Sequence, residues 1–183
     1  LSNGVISGNC GESLGSDFLC NLSEVHTNQF NPFDLEQQLK SFHAASLFVA
    51  SFYQRPFNDE KLDKSRKLDP RSTVGLTGLF DFFINLFGVE WLKWWKEGRK
   101  KDFTTDNNSN NSFKINILKK IEKSLGSTDL CILKKDAYEY LSYSRDTKTL
   151  GEFLNSIEIF YLNLWRLKCE QVVYDYCDKH KLP

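Results

Sequence analysis

The sequence predicts a mainly α-helical chain, with a loop and short-strand segment at its N-terminus. Apolar residues recur at helical spacing in two long stretches, which cover about residues 35–53 and 149–180. That spacing places them on one face of a helix. Residues 1–30 are instead rich in glycine, serine and asparagine, which favours loops and short strands near Val5 and Phe18. The 15 Phe, 7 Tyr and 4 Trp require a substantial core or a partner surface.

The first helix is predicted to begin near Phe33, after the Asn31-Pro32 dipeptide, and to run to about Tyr53. Pro56 ends it, because proline lacks the N–H that a continuing helix needs. The apolar residues that keep helical spacing are Leu35, Leu39, Phe42, Leu47 and Ala50.

A charged connector is predicted over residues 58–71, followed by an apolar helix that stops at Gly88. A second short helix is predicted to carry three tryptophans on one face, because their spacing is i, i+3, i+4. These tryptophans are Trp91, Trp94 and Trp95. Packing of the rings is the simpler interpretation, and stacking on a nucleotide base is the alternative.

The composition changes after residue 101. Residues 106–112 are almost all asparagine and serine, a low-complexity pattern that predicts disorder. Residues 113–148 contain two weak helical patterns, and a long helix is predicted from about Thr149 to His180. Its predicted apolar face comprises Phe153, Leu154, Ile157, Phe160, Tyr161, Leu164, Leu167 and Val172.

The charge balance and the termini restrict the class of protein. Lys plus Arg number 24, as do Asp plus Glu, so the chain offers no global field for nucleic acid or an anionic membrane. No secretory signal and no stretch of about 20 apolar residues is present. Five widely spaced cysteines then predict reduced thiols and a cytoplasmic protein. The chain starts with Leu and contains no Met, so we expect the natural start to lie upstream.

Three residues near the N-terminus form the candidate catalytic set. Cys10 and Glu12 are two positions apart, so on an extended strand their side chains share a face. When a thiol and a carboxylate lie on one face, the thiol can carry a radical or act as a nucleophile while the carboxylate transfers the proton. Cys20 comes after a Gly/Ser-rich turn and could act as a reductant. Such a short pattern also fits an ordinary strand or loop.

The string Cys10-Gly11-Glu12, with Cys20-Asn21-Leu22-Ser23-Glu24 after it, resembles the finger-loop region of monomeric, cobalamin-dependent ribonucleoside-triphosphate reductases. Further stretches resemble this family in the same order along the chain. They are residues 67–70, 74–83, 91–95, 161–165 and 173–180. The resemblance divides the chain into reductase segments at 10–101 and 149–183 and an insertion, partly disordered, at 102–148.

The resemblance implies a ten-stranded α/β barrel and adenosylcobalamin as the cofactor, which supplies the homolysis that generates a radical. By resemblance, Cys10 is the thiyl residue that takes the 3′ hydrogen of the substrate, a ribonucleoside triphosphate. Glu12 is implied as the base for the 3′ hydroxyl, and Cys20 as one of two reducing thiols. A thioredoxin-type reductant and the rest of the reductase chain are the implied partners, and neither nucleic acid nor a membrane is expected.

The first nine residues depart from this family. Where the family has Asn-Pro before the cysteine, this chain has Gly8-Asn9, so the expected substrate-binding asparagine is missing. Residues 1–9 resemble the C-terminal end of an intein, in which a terminal asparagine cyclises and the next cysteine accepts the acyl group. Asn9 and Cys10 are then the splicing residues. The chain is therefore interpreted as an incomplete reductase segment, inactive alone, or as the flank of a splicing precursor.

Simpler interpretations stand beside these. Cys177 and His180 lie one helical turn apart, with Cys169 two turns earlier, and could bind zinc, although a structural role is more common for such a pair. His26 and His43 are isolated histidines for which packing or surface roles outweigh catalysis. A helical interaction module without catalysis remains a third class of function.

Overall fold

The computed structural model describes residues 21–68, 72–105, 107–128 and 133–182. In these ranges the chain forms seven α-helices, one short 3-10 helix and a sheet of two parallel strands. The mainly helical prediction is therefore confirmed. The ten-stranded barrel implied by the resemblance is not seen in these ranges, whose sheet has two strands only.

The sheet is built from a strand–helix–strand unit. Strand β1 (Asn21–His26) pairs in parallel with β2 (Ser72–Thr77), so that Ser23 lies opposite Val74 and Val25 opposite Leu76. Parallel strands need a long crossover connection. Helix α1 (Leu35–Ser51) and helix α2 (Glu60–Leu68) lie in this connection. α1 packs on one face of the sheet, where the Ser23 hydroxyl donates to the Ala45 carbonyl at 3.1 Å.

Helix α1 begins two residues later than predicted because Asp34 caps it. The Asp34 carboxylate accepts from the Gln37 N–H at 3.0 Å, which satisfies one of the donors left free at a helix start. Between β1 and α1 lies the 3-10 helix Thr27–Gln29. The helix ends at Ser51, well before Pro56.

The prediction of a charged connector over residues 58–71 is wrong in part, because helix α2 occupies most of this range. Asp59 starts this helix: its carboxylate accepts from the N–H groups of Lys61 and Leu62 at 2.9 and 3.3 Å. Charged residues favour a solvated helix as readily as a loop, and composition alone does not separate the two. Strand β2 is a further element that was not predicted from the sequence. The apolar pattern of the sequence was interpreted only as a helix that starts at Thr77.

Two short helices come after β2. Helix α3 (Leu79–Phe87) ends at Gly88, as predicted, and α4 (Val89–Lys96) begins directly after it. Gly88 has a φ of 69°, a conformation that glycine adopts without steric cost. Trp91 and Trp94 are buried, whereas Trp95 is 40% exposed, so the three rings do not share one buried face.

Residues 107–112 are helical, which corrects the prediction of disorder there. Helix α5 (Asn107–Ser127) begins in the Asn/Ser-rich stretch, and α6 (Lys134–Arg145) is the next helix along the chain. Burial of one apolar face stabilises helix α5. Ile117, Ile121 and Leu125 recur every four positions on this face, and all three are buried. The segment interpreted as an insertion therefore shares the core of the rest of the protein.

Helix α7 (Leu150–His180) is the longest helix and confirms the prediction closely. Thr149 and Glu152 form a capping box at its start, in which each side chain bonds the backbone of the other residue. α7 packs along α1 and α6. Every residue of its predicted apolar face is buried except Leu167, which is partly buried. Four residues outside the predicted face are buried as well: Leu150, Gly151, Glu158 and Trp165.

Buried polar side chains connect α1 with α7. The Gln38 amide donates to the carbonyls of Asn31 and Pro32 at 2.9 and 3.1 Å, and its oxygen accepts from Trp165 Nε1 at 3.1 Å. The Tyr161 hydroxyl donates to the Pro32 carbonyl at 2.6 Å. Burial raises the pKa of Tyr161, so this hydroxyl remains a neutral donor.

Candidate functional site

The predicted catalytic and splicing residues lie outside the described residues. Asn9, Cys10, Glu12 and Cys20 all belong to the first 20 positions, so their placement stays a prediction. Asn21, the residue directly after Cys20, is described and is the first residue of β1. Any chemistry at Cys20 would therefore adjoin the N-terminal end of this strand.

The sheet has one covered face and one open face. Side chains at alternate positions of a strand point to opposite faces. The residues of β1 on the α1 side include Val25, which is buried, while Leu22, Glu24 and His26 on the other side are exposed. The register places Thr73, Gly75 and Thr77 of β2 opposite these three. We refer to these six residues as the open face.

Because Gly75 has no side chain, the Glu24 side chain has space to lie beside it on the open face. A Cβ atom at Gly75 would come within 3.3 Å of Glu24 Cγ and 3.7 Å of Glu24 Oε1. The Glu24 side chain therefore lies across the backbone of β2. The open face thus presents a carboxylate, an imidazole and two threonine hydroxyls, groups that can bind polar ligands and exchange protons.

The carboxyl ends of the two strands are joined by side-chain contacts. The Thr27 hydroxyl, fully buried, donates to the Thr77 carbonyl at 2.9 Å. Gly78, with a φ of 76°, then turns the chain into α3 directly against the Asn28 side chain. These contacts hold the carboxyl ends of β1 and β2 together.

An apolar groove lies on the covered side of the sheet, where β2, α1 and α7 meet. Its volume is about 420 Å³. Val74 and Leu76 line it from the sheet, and Leu162, Cys169 and Val173 line it from α7. Burial raises the pKa of the Cys169 thiol, which keeps it protonated and weakly reactive. The groove can therefore take apolar groups, and its thiol is a poor nucleophile.

A buried carboxylate lies at the contact between α4 and α7. Glu158 is 4% exposed, accepts from Trp91 Nε1 at 2.5 Å, and pairs with the Arg99 guanidinium. Arg99 also stacks on the rings of Trp94 and Trp95. Burial raises the pKa of Glu158, while the Trp91 hydrogen bond and Arg99 oppose this rise. This arrangement fastens α4 and the residues after it to α7.

The structure describes the residues of two other motifs. No group of three potential metal ligands comes together within the ranges described, and Cys169 lies against α1 through Ser46. Trp91 packs at 5.7 Å from the Phe83 ring and at 4.8 Å from Phe80, so it forms part of the core. Neither zinc binding nor base stacking gains support from these residues.

Sequence reasoning missed the buried polar residues. Gln38 and Glu158 each fall within the apolar stripe of a helix, between residues that are themselves buried. A polar residue at such a position needs a hydrogen-bond partner in the core. That signal was available in the sequence for both residues. The juxtaposition of Glu24 with His26 on the open face depends on the strand, which the sequence did not reveal.

Comparisons with protein families, with curated protein sequences and with solved structures give no match to this chain. Within the residues that the structure describes, no helix combines the length and the apolar character needed to span a bilayer.

Proposed function

We propose that the chain is a segment of an adenosylcobalamin-dependent ribonucleoside-triphosphate reductase, and that it is inactive by itself. The observation that carries the proposal is the order of the motifs: Cys10 and Glu12, then Cys20, then the apolar stretch 74–83. Several motifs in a fixed order are far more specific than a single short motif.

The architecture is compatible with a barrel segment. In an α/β barrel, parallel strands are joined by helices that lie outside, and the opposite face of the strands lines the interior. β1 and β2 are parallel, the crossover contains α1, and α1 covers one face only. The open face would then face the interior, next to the segment that carries Cys20. This supports the proposal at the level of architecture.

The proposed chemistry divides between three side chains. A thiyl radical at Cys10 would take the 3′ hydrogen atom of the ribonucleotide, which restores the thiol and leaves a radical at carbon 3′. Glu12 would accept the proton of the 3′ hydroxyl while the 2′ hydroxyl takes a proton from one of two reducing thiols, Cys20 and a second cysteine, and leaves as water. The other thiol would give a hydrogen atom to carbon 2′. The two sulfurs would then join as a disulfide and pass one electron to the 3′ ketone, which takes back its proton from Glu12 and becomes a radical at carbon 3′ again. Cys10 would return the hydrogen to carbon 3′, and a thioredoxin-type partner would reduce the disulfide.

The described residues do not form a site that fits the cofactor. A corrin ring with its adenosyl group is much larger than the groove beside β2, whose volume is about 420 Å³. That groove is also apolar and lies on the helical side of the sheet, away from the open face. We propose that other parts of the reductase chain hold adenosylcobalamin.

The test is a reductase assay on the polypeptide encoded by this sequence together with its flanking coding sequence. With adenosylcobalamin, thioredoxin and ribonucleoside triphosphates, we expect deoxyribonucleotide to form. Cys10→Ser should abolish its formation, because serine cannot carry the radical. Cys169→Ser is the matched control, since this thiol packs between α1 and α7, and it should retain activity. Equal activity of the Cys10→Ser variant would contradict the proposal, as would no product from the unsubstituted protein.

Splicing at Asn9 and Cys10 is the second proposed activity, and it rests on the Asn-Cys pair that comes after a short apolar stretch. Both activities can belong to one protein, because the cysteine that accepts the acyl group would remain in the ligated product. A precursor with its upstream flank should yield a ligated product by mass, and Asn9→Ala should block ligation. Ligation at an undiminished rate in Asn9→Ala would exclude this role.

A further inference from the structure

The guanidinium group of Arg99 lies in a cleft whose walls are complementary to a planar cation. It stacks over the rings of Trp94 and Trp95, with its central carbon 4.9 and 5.0 Å from the ring centroids. It also pairs with the carboxylate of Glu158, whose side chain is only 5% exposed. Aromatic faces and a carboxylate each attract a guanidinium, by a cation–π interaction and by a charge-assisted hydrogen bond. We refer to Trp94, Trp95 and Glu158 as the cation cleft.

The carboxylate of the cleft is oriented by a second group besides Arg99. Glu158 Oε1 accepts from Trp91 Nε1 at 2.5 Å, and Oε2 is the oxygen that bonds the guanidinium. Trp91 belongs to the core, so this hydrogen bond can hold Glu158 in place when the guanidinium leaves. An ionised carboxylate that is buried without a cation is costly. The cleft therefore favours a cation beside Oε2, whichever molecule supplies it.

Arg99 occupies the cleft from a strained backbone. Its φ is 58°, a left-handed conformation that a residue with a Cβ atom adopts at a steric cost, and Gly98 before it has a φ of 75°. The side chains of residues 97–102 are all exposed, so apolar burial does little to hold this segment. Hydrogen bonds hold it instead, among them that from the Arg99 N–H to the Trp94 carbonyl at 2.9 Å. Segments held in this way open more readily than packed ones.

We propose that the cation cleft is a binding site for guanidinium groups, that Arg99 occupies it as an internal ligand, and that an added guanidinium displaces Arg99. The planar group is the selected chemistry, because it stacks flat on a ring while its N–H groups bond a carboxylate, and an ammonium lacks that plane. Arg99 competes from a tethered position, at an effective concentration in the millimolar range. This inference depends on the cleft alone, so it stands or falls separately from the proposed reductase chemistry.

The test measures how tightly methylguanidinium binds the 183-residue chain and its Arg99→Gly variant. The indole N–H signals of Trp94 and Trp95 report binding by NMR, at mildly alkaline pH so that Glu158 is ionised. Glycine adopts a φ of 58° without strain, so the variant should keep the course of the backbone. We expect saturable shifts in both proteins, with an affinity at least about tenfold higher in Arg99→Gly, where no tethered ligand competes. Methylurea, which has a similar shape without the charge, should bind neither protein.

The same titration distinguishes two sources of the ligand. L-arginine presents the guanidinium on a free molecule, and a blocked arginine amide presents it as part of a chain. Both should compete with methylguanidinium for the cleft, and the tighter of the two assigns the source. Failure of both to compete would overturn the inference.

Three further variants complete the test. Adding Glu158→Gln to Arg99→Gly removes the charge of the cleft and should abolish the gain in affinity. Arg55→Gly is the matched control, because Arg55 stacks on the ring of Phe52 at 5.8 Å, outside the cleft, and the affinity should stay at the wild-type value. Arg99→Lys keeps a cation beside Glu158 but stacks less well, so it should bind methylguanidinium more tightly than the wild type does. It carries the test if circular dichroism shows that Arg99→Gly does not fold.

Four results would overturn the inference. They are no saturable shift in the wild type, no gain in affinity in the folded Arg99 variants, equal binding of methylurea, and a gain that persists after Glu158→Gln. A purely structural role of the Arg99–Glu158 pair would give the first of these results.

Discussion

At the scale of single residues, the described part of the protein depends on polar groups that are buried with their partners. Gln38 uses both its amide nitrogen and its oxygen, and Glu158 binds Trp91 and Arg99. Leaving such a group unpaired in the core costs about 1–3 kcal/mol. These residues therefore determine how α1, α4 and α7 align, beyond what apolar contact alone would specify.

Glu158→Gln should change how stability depends on pH. Burial raises the pKa of Glu158 above its ordinary value of 4.5, so the folded protein binds this proton more tightly than the unfolded chain does. The contribution of Glu158 to stability is full below that ordinary value and is lost as the pH rises through the raised one. The free energy of unfolding of the wild type, minus that of the variant, should therefore fall with rising pH in urea titrations.

The control for this prediction is Glu97→Gln. Glu97 is an exposed carboxylate that pairs with Lys100 at 3.7 Å, and exposed pairs contribute little to stability. Its substitution should leave the free energy of unfolding nearly unchanged across the same range. If the stability difference at Glu158 instead rises with pH, the Arg99 pair outweighs burial and our account of this cluster is wrong.

The site residues illustrate what a sequence can and cannot specify. Cys10, Glu12 and Cys20 were predicted from their spacing together with the family resemblance, and their placement stays a prediction because they lie outside the described residues. The position of Glu24 across Gly75 was not predictable, because it requires the register between two strands that are about 50 residues apart along the chain. Only the folded chain brings these two positions together.

At the scale of elements, the prediction of a helix succeeded where the apolar pattern extended over many helical turns. α7 was predicted almost to the residue because a 31-residue helix gives many repeats of the pattern and Thr149 supplies a capping signal. β2 was missed because six residues give too few alternations, and Gly75 weakens the strand pattern further. α5 was mispredicted at its start because Asn and Ser are poor helix formers, yet tertiary packing of Ile117 and Ile121 overrides this preference.

Two helical glycines should respond in opposite ways to alanine. Gly151, in the first turn of α7, lies so close to the backbone carbonyl of Lys100 that an added methyl group would collide with it. Its N–H also donates to the Phe103 carbonyl at 2.9 Å. Gly151→Ala should therefore destabilise the protein by about 1–3 kcal/mol, as other overpacked sites do. Chemical denaturation measures the change.

Gly126, near the end of α5, is the matched control. Nothing lies within 4 Å of the Cβ atom that alanine would add there. Alanine at this position should stabilise the helix by up to about 1 kcal/mol, because it loses less backbone entropy on folding than glycine does. A Gly151→Ala variant as stable as the wild type would contradict the first prediction. It would show that the loop around Lys100 moves away from the added methyl group with no change in the free energy of unfolding.

At the scale of the whole molecule, the described residues form a helical layer over a narrow parallel sheet. Parallel sheets are normally covered on both faces or closed into barrels. Here Leu22, Glu24 and His26 of the open face are exposed, and the outer edge of β2 is unpaired within the described ranges. The helical content was predictable from periodicity. The pairing of β1 with β2 was not, because parallel pairing joins distant segments and leaves no local signal.

The most direct test of the central claim tracks the 3′ hydrogen of the substrate. The polypeptide encoded with both flanks would be supplied with a ribonucleoside triphosphate that carries deuterium at carbon 3′. We expect slower reduction than with the unlabelled substrate, because Cys10 breaks that carbon–hydrogen bond, and we expect no reduction in Cys10→Ser. Reduction that is indifferent to the deuterium and persists in Cys10→Ser would contradict the account.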